Sequence, residues 1–134
     1  MAGKKLEGAG LRGQVAGKTS LSTVGKAGKG LTYRGYEIEV LAEKASFEEV
    51  AYMLLYGNLP NQEEFNTYSA KLKKLRVLPS ELKKVLENIP ASAHPMDVMR
   101  TGCSMLGNLE PEGEFTNQNS SADRILASMA SIIV

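Results

Sequence analysis

Few side chains in this 134-residue sequence have types that could do chemistry: one histidine, one cysteine, a glycine-rich run and a group of clustered cations. As a general base or a metal ligand, His94 needs a second histidine, a carboxylate or a thiolate at workable spacing, and the sequence around it supplies none. It reads instead as the residue before a helix. Pro95 suits the first helical position, where its missing N–H is no loss, and it biases His94 toward extended backbone. Asp97 then sets a carboxylate near the positive helix end. Cys103 falls inside the same apolar helix, where a buried free thiol behaves as a small, inert hydrophobe.

The run Gly25-x-x-Gly28-x-Gly30 matches neither a Walker loop nor a dinucleotide fingerprint, because no helix starts directly after it. It reads as a hairpin loop, with Lys26 and Lys29 either solvated or available to a phosphate. The cluster Lys71, Lys73, Lys74 and Arg76 offers more. Lys73 and Arg76 lie three apart on one helix side and could face a single carboxylate or phosphate; the plainer reading is a solvated face that complements the helix dipole. Without aromatic interleaving or a recognition-helix pattern, it is not a nucleic-acid surface.

The elements that would hold these groups follow from composition and period. Apolar residues make up 43% of the chain and charged residues 23%, enough for one domain with a real core. Basic residues number 16 against 15 acidic ones, so the formal charge of +1 exerts no overall pull on nucleic acid or an anionic membrane. A single cysteine rules out an internal disulfide and a thiolate zinc site, which suits a reducing compartment. The start Met1-Ala2-Gly3-Lys4-Lys5 lacks the apolar stretch of a secretory signal, and no segment approaches a membrane span. The expected address is the cytoplasm.

Most of the glycines, nine of 13, precede residue 36, so helices should begin only after that point. Thr19 to Val24 and Leu31 to Arg34 are short β-capable runs around the glycine loop, which predicts a small hairpin. From Ile38 the period becomes helical, with Ile38, Leu41 and Ala42 on one side. Ser46 and Glu49 form a capping box that opens a helix to Tyr56, and Gly57 and Pro60 close it. Asn61 caps the next helix, whose apolar stripe is Phe65, Tyr68, Leu72 and Leu75. A helix through Glu81 to Ile89 follows, ended by Pro90, and then one from Pro95 to about Leu106. Gly107 to Ser121 reads as a polar loop, with a last helix from near Ala122.

The expected architecture is therefore mainly α, about six helices behind a small β element, without the strand–helix alternation of a parallel sheet. In the Pro95 helix, Gly102, Cys103 and Ser104 alternate with Met96, Met99, Met105 and Leu106. Small residues permit close approach of another backbone, and the apolar circumference calls for burial on several sides, more easily met by a partner subunit or by further polypeptide. Arg124 to Val134 keeps helical apolar spacing up to the last residue with no cap or turn signal, so we expect these residues to belong to something larger.

Several motifs together resemble the N-terminal part of the citrate synthase family: Thr19-Ser20-Leu21-Ser22-Thr23-Val24-Gly25, Leu31-Thr32-Tyr33-Arg34-Gly35-Tyr36, Phe47-Glu48-Glu49-Val50-Ala51, Leu59-Pro60-Asn61 and His94-Pro95-Met96-Asp97-Val98-Met99-Arg100-Thr101-Gly102. They occur in the family's order and approximate spacing, the likeness runs from about Leu11 to Val134, and it is closest to the bacterial 2-methylcitrate synthase branch. The resemblance implies the N-terminal part of a large helical domain over residues 1–134, with the small catalytic domain outside this sequence. It also implies an acyltransferase that condenses propionyl-CoA with oxaloacetate, without a separate cofactor, since CoA enters as the acyl-CoA substrate. The family's catalytic histidines sit in His-Glu-Phe-Asn-Ala-Ser and His-Gly-Gly-Ala-Asn-Glu motifs, which this sequence does not contain, and the later catalytic aspartate is missing as well.

His94 thus inherits no catalytic role, and no catalytic residue is expected within these 134 residues, which alone should be inactive. The resemblance implies a homodimer through the Pro79–Ile89 and Pro95–Leu106 helices. It assigns substrate binding to Lys73, where relatives often carry arginine, whose bidentate fork a lysine lacks. Two alternatives stand beside this reading: a citrate synthase using acetyl-CoA, and a non-catalytic helical dimerisation module.

Overall fold

The structure is a computed structural model that describes residues 15, 17–25, 30–114 and 117–134. Lys26 and Lys29, proposed above as loop cations, lie outside the described residues. The chain divides into two compact units, residues 1–44 and 45–134.

The first unit carries three two-residue strands, β1 (Ser22–Thr23), β2 (Thr32–Tyr33) and β3 (Tyr36–Glu37), followed directly by helix α1 (Ile38–Lys44). The strands form one antiparallel sheet in the order β1-β2-β3, with Thr23 opposite Thr32 and Tyr33 opposite Tyr36. The expected hairpin is the β1–β2 pair. The third strand corrects that reading: Arg34 is not strand but turn. Arg34 at φ 50° and Gly35 at φ 92° form a two-residue reversal with positive φ at both positions. This is the backbone that matches the twist of a tight hairpin, and glycine meets it without a Cβ penalty. The Arg34 side chain reaches back to the Ser20 hydroxyl at 3.0 Å, and its backbone N–H donates to the Leu21 carbonyl at 2.8 Å.

The second unit is helical: α2 (Phe47–Tyr56), α3 (Gln62–Leu75), α4 (Ser80–Glu87), α5 (Pro95–Leu109) and α6 (Gln118–Ile133). Its first two starts follow the sequence chemistry closely. At α2 the Ser46 hydroxyl accepts from the Glu49 N–H at 3.3 Å while the Glu49 carboxylate accepts from the Ser46 N–H at 2.7 Å. At α3 the Asn61 side chain accepts from both Glu63 and Glu64 N–H groups at 3.0 Å. Each such cap is worth about 1 kcal/mol. Helix α2 stops at Gly57, whose φ of 106° a side-chain-bearing residue would resist. His94 is the N-cap of α5, with extended backbone, and its Nδ1 accepts from the Met96 N–H at 3.1 Å.

Three boundaries differ from the sequence reading. Helix α4 ends at Glu87, and Asn88 and Ile89 instead close a tighter turn, their N–H groups reaching the carbonyls three residues back at 3.2 and 3.0 Å. Helix α5 runs through Gly107 to Leu109, beyond the expected Leu106, because this last turn is solvent-exposed and a glycine there displaces no packing. Helix α6 begins at Gln118 rather than Ala122, since its first turn of polar residues faces water and sends no apolar signal.

Two clusters make the core of this unit. Leu78, Leu82, Leu106 and Ile132 form one, with Val98, Met99 and Cys103 packed against it; Tyr68, Leu72 and Ala127 form the other. The small-residue face of α5 is met at Gly102 by α6 of this same chain, so burial of that one residue needs no partner, while Met96 and Ser104 of the same helix stay exposed. A Cβ at Gly102 would lie 2.4 Å from Ile132 Cγ2. Because that atom sits on a β-branched, buried side chain, it cannot swing aside. Gly102→Ala should therefore cost about 1–2 kcal/mol net of the better helix propensity of alanine. Urea unfolding of the variant against the parent checks this, and an unchanged midpoint would contradict the close approach.

Candidate functional site

The most concentrated polar chemistry of the second unit surrounds Asp123, whose side chain is fully buried. Its carboxylate accepts from the Tyr56 hydroxyl at 2.5 Å, the Tyr68 hydroxyl at 2.9 Å and the Lys71 ammonium at 2.6 Å. Helix α2 supplies Tyr56, α3 supplies Tyr68 and Lys71 at helical spacing, and α6 supplies the acid. A third ring, Tyr52, stacks at 4.7 Å from Tyr56 and meets Tyr68 edge-on at 5.1 Å between centroids. Burial chiefly, then the hydrogen bond and the charge of Asp123, pushes the Tyr56 and Tyr68 hydroxyls far above the ordinary tyrosine value. Both stay protonated donors at every physiological pH.

This arrangement is electrically closed. One buried negative charge meets one half-exposed ammonium, and the two phenols donate without ionising. With three donors on two oxygens, Asp123 has little lone-pair capacity left for taking a proton from a substrate. The cleft beside it, about 330 Å³, also carries Glu63 and Glu64, which repel an anionic ligand. The cluster therefore reads as a structural pin. Asp123→Ala would leave the buried Tyr68 hydroxyl without its acceptor, at an expected loss of about 2–3 kcal/mol. An alkaline titration followed by phenolate absorbance provides a second check. Tyr56 and Tyr68 should ionise only well above pH 10 in the parent, and Asp123→Ala should bring them down.

The neighbouring residue makes a second pin on another side of α6. The Arg124 guanidinium holds both oxygens of Glu110 at 2.7 and 2.8 Å, and it also donates to the Leu75 carbonyl and, at 3.1 Å, to the Val77 carbonyl. The hydrogen bond from Arg124 holds the Glu110 carboxyl below its ordinary value, against the opposing effect of burial, with the cation's charge adding to the depression. A depressed carboxylate contributes stability above its unfolded pKa of about 4.3, and the contribution is lost as pH falls through the lower folded value. The parent should thus lose stability in acid more steeply than Glu110→Gln, as thermal unfolding at pH 7 and pH 3 would show; parallel losses would remove the assignment.

The proposed substrate-binding residue Lys73 stands exposed on α3, and among the described residues it makes no ion pair. The structure does not join it with Arg76. Arg76 turns to Glu48 of α2 at 3.6 Å, and Lys71 is committed to Asp123, so the four-cation cluster is divided among different tasks. Lys73 and Lys74 occupy the last turn of α3, where cations favour the helix dipole. Cys103 is half-buried beside the leucine cluster. Among the described residues no group of three His, Cys, Asp or Glu side chains could hold a metal ion.

Sequence reasoning missed Asp123 and its tyrosines. The available signal was a carboxylate four residues before Ala127 on the apolar stripe of the last helix, together with Tyr52 and Tyr56 at the same spacing on α2.

This assembly is not a solitary invention. The model of the family described as "Citrate synthase, C-terminal domain" matches residues 10–134. The chain belongs to the citrate synthase family. A 2-methylcitrate synthase of Shewanella oneidensis is 65% identical over 130 residues, covering 97% of this chain and 35% of that protein. The 2-methylcitrate synthase 1 of Corynebacterium glutamicum is 41% identical over 103 residues, covering 77% of this chain and 27% of its own length. Among solved structures, citrate synthase from Thermotoga maritima superposes with a TM-score of 0.79 at 31% identity, over 92% of this chain and 32% of the other. This citrate synthase family chain thus spans about a third of the length of the relatives it matches, or less, and the mainly helical fold with a small N-terminal sheet agrees with that membership.

Proposed function

We propose that these residues are the N-terminal part of the large helical domain of a 2-methylcitrate synthase, an acyltransferase acting in the cytoplasm on propionyl-CoA and oxaloacetate. The single observation that carries the reading is 65% identity to the Shewanella oneidensis enzyme across 97% of this chain. In the proposed reaction propionyl-CoA loses an α-proton, the resulting enol attacks the oxaloacetate ketone, and water cleaves the thioester to leave 2-methylcitrate and CoA. The groups that move the proton and polarise the ketone are proposed to lie outside residues 1–134. The chemistry described above supports this: His94 is occupied as a helix cap, and Asp123 already accepts from three donors.

Within the proposed enzyme these residues contribute scaffold, one substrate contact and an interface. Lys73, with its ammonium free in solvent, is the proposed contact for a substrate anion, as a point charge without the fork of an arginine. The homodimer is proposed to form through the α4 and α5 regions, where Met96 is 65% exposed. A reading as an acetyl-CoA-dependent citrate synthase has support from a Mycolicibacterium smegmatis citrate synthase at 38% identity over 112 residues. The greater identity to the Shewanella 2-methylcitrate synthase favours propionyl-CoA.

A chimaera tests the proposal: residues 1–134 replace the matching third of the Shewanella oneidensis 2-methylcitrate synthase, and release of the CoA thiol is followed. The chimaera should turn over propionyl-CoA, and the 134-residue chain alone should not. Turnover by the chain alone would place the chemistry within it, while a folded but inactive chimaera would refute its role as the enzyme's N-terminal part. In the active chimaera Lys73→Ala should raise a substrate KM several-fold with kcat nearly kept, the signature of lost ground-state binding.

A further inference from the structure

We infer that Lys71 is an acylation site, where a short-chain acyl-CoA thioester removes the one positive charge that balances Asp123 and so loosens the hold of α3 on α6. The inference takes its acyl donor, propionyl-CoA, from the function proposed above. Of the three donors on the Asp123 carboxylate, the phenols of Tyr56 and Tyr68 stay protonated and are poor nucleophiles. Lys71 differs: its side chain is 44% exposed, although its ammonium lies 2.6 Å from a fully buried carboxylate.

The surroundings suit a short acyl group. The Lys71 side chain lines an open cleft of about 330 Å³, in which Tyr52 and Tyr56 offer ring surface to an apolar chain. Glu63, Thr67 and Lys71 recur every four residues along α3, and among the described residues lining the cleft Lys71 is the only cation. The two glutamates repel the phosphates of CoA. Its thioester, however, lies at the end of an uncharged arm and can enter while the phosphates stay in screened solvent.

In the step itself Lys71 leaves Asp123 and passes a proton to water, and the neutral amine attacks the thioester carbonyl carbon. A C–N bond replaces the C–S bond, and CoA leaves as a thiolate that takes the second amine proton. The amide product carries no charge. Asp123 then stays buried without its ion-pair partner, the condition in which an interior charge costs most. Acylation thus traps the opened pair.

The test incubates the 134-residue chain with propionyl-CoA and follows each lysine by peptide mass spectrometry, with Lys74, exposed on the same helix, as the reference. Lys71 should acylate roughly fivefold more slowly than Lys74 in the parent, because the ion pair must open first, and at a comparable rate in Asp123→Asn. Lys71→Gln, whose neutral amide stands in for the acylated side chain, should lower the thermal midpoint by about 5 °C. Lys71→Arg, which keeps the charge, should restore most of that loss, and Lys74→Gln should leave the midpoint nearly unchanged. Lys71 left unmodified while Lys74 is acylated to completion would overturn the inference, and so would an unchanged midpoint in Lys71→Gln. If Asp123→Asn does not fold, the Lys71 variants decide. A chimaera that fails to turn over propionyl-CoA refutes the proposed activity and leaves the acylation of the chain standing.

Discussion

The helical unit depends on one buried negative charge. A carboxylate in the interior is tolerable only where donors replace the water it has lost, and Asp123 recruits them from two other helices. The requirement runs in both directions. Tyr68 is buried, so its hydroxyl needs an acceptor, while the Lys71 side chain is half-exposed and still brings its ammonium to the carboxylate at 2.6 Å. The result is a direct polar tie from α2 to α6, two helices separated in sequence by three others, with α3 between them in the same network. Apolar burial supplies the larger part of the folding free energy, but it has no direction; the three donors set how α6 is turned.

Asp123 and Arg124 are consecutive, so on a helix they point about 100° apart. One side chain ties α6 to α2 and the middle of α3, and the other ties it to the end of α5 and the segment after α3. Helix α6 thereby becomes the member against which the others are set. Its close passage over Gly102 of α5 belongs to the same arrangement: with Ile132 lodged where a Cβ would be, the two helices share the leucine cluster with no spacer between them.

Much of this was legible in the sequence wherever a local rule governs. The capping box at Ser46, the cap at Asn61, the proline start at Pro95 and the stop at Gly57 each report a boundary through residues a few positions apart, and the motifs around them report the family. What stayed hidden depends on partners distant in sequence. Asp123 looks like an ordinary polar residue until Tyr56 and Tyr68, 67 and 55 positions away, are brought to it. The basic run on α3 looks like one patch because its charges are neighbours in sequence, yet Glu48 and Asp123 divide it. The extra turns of α5 and α6 were invisible for the opposite reason: exposed turns carry no apolar period. Lys73, read from resemblance, takes no meaning from its immediate surroundings, which are solvent.

Arg124 holds main-chain oxygens at Leu75 and Val77 and reserves its side-chain partnership for Glu110. A carbonyl is offered by every residue type, so the grip is blind to which side chains occupy those two positions, and the exposed Val77 in particular is free to drift. The evolutionary constraint at this corner therefore falls on positions 110 and 124 as a pair. Among descendants of this sequence, changes there should be correlated, while position 77 records neutral history.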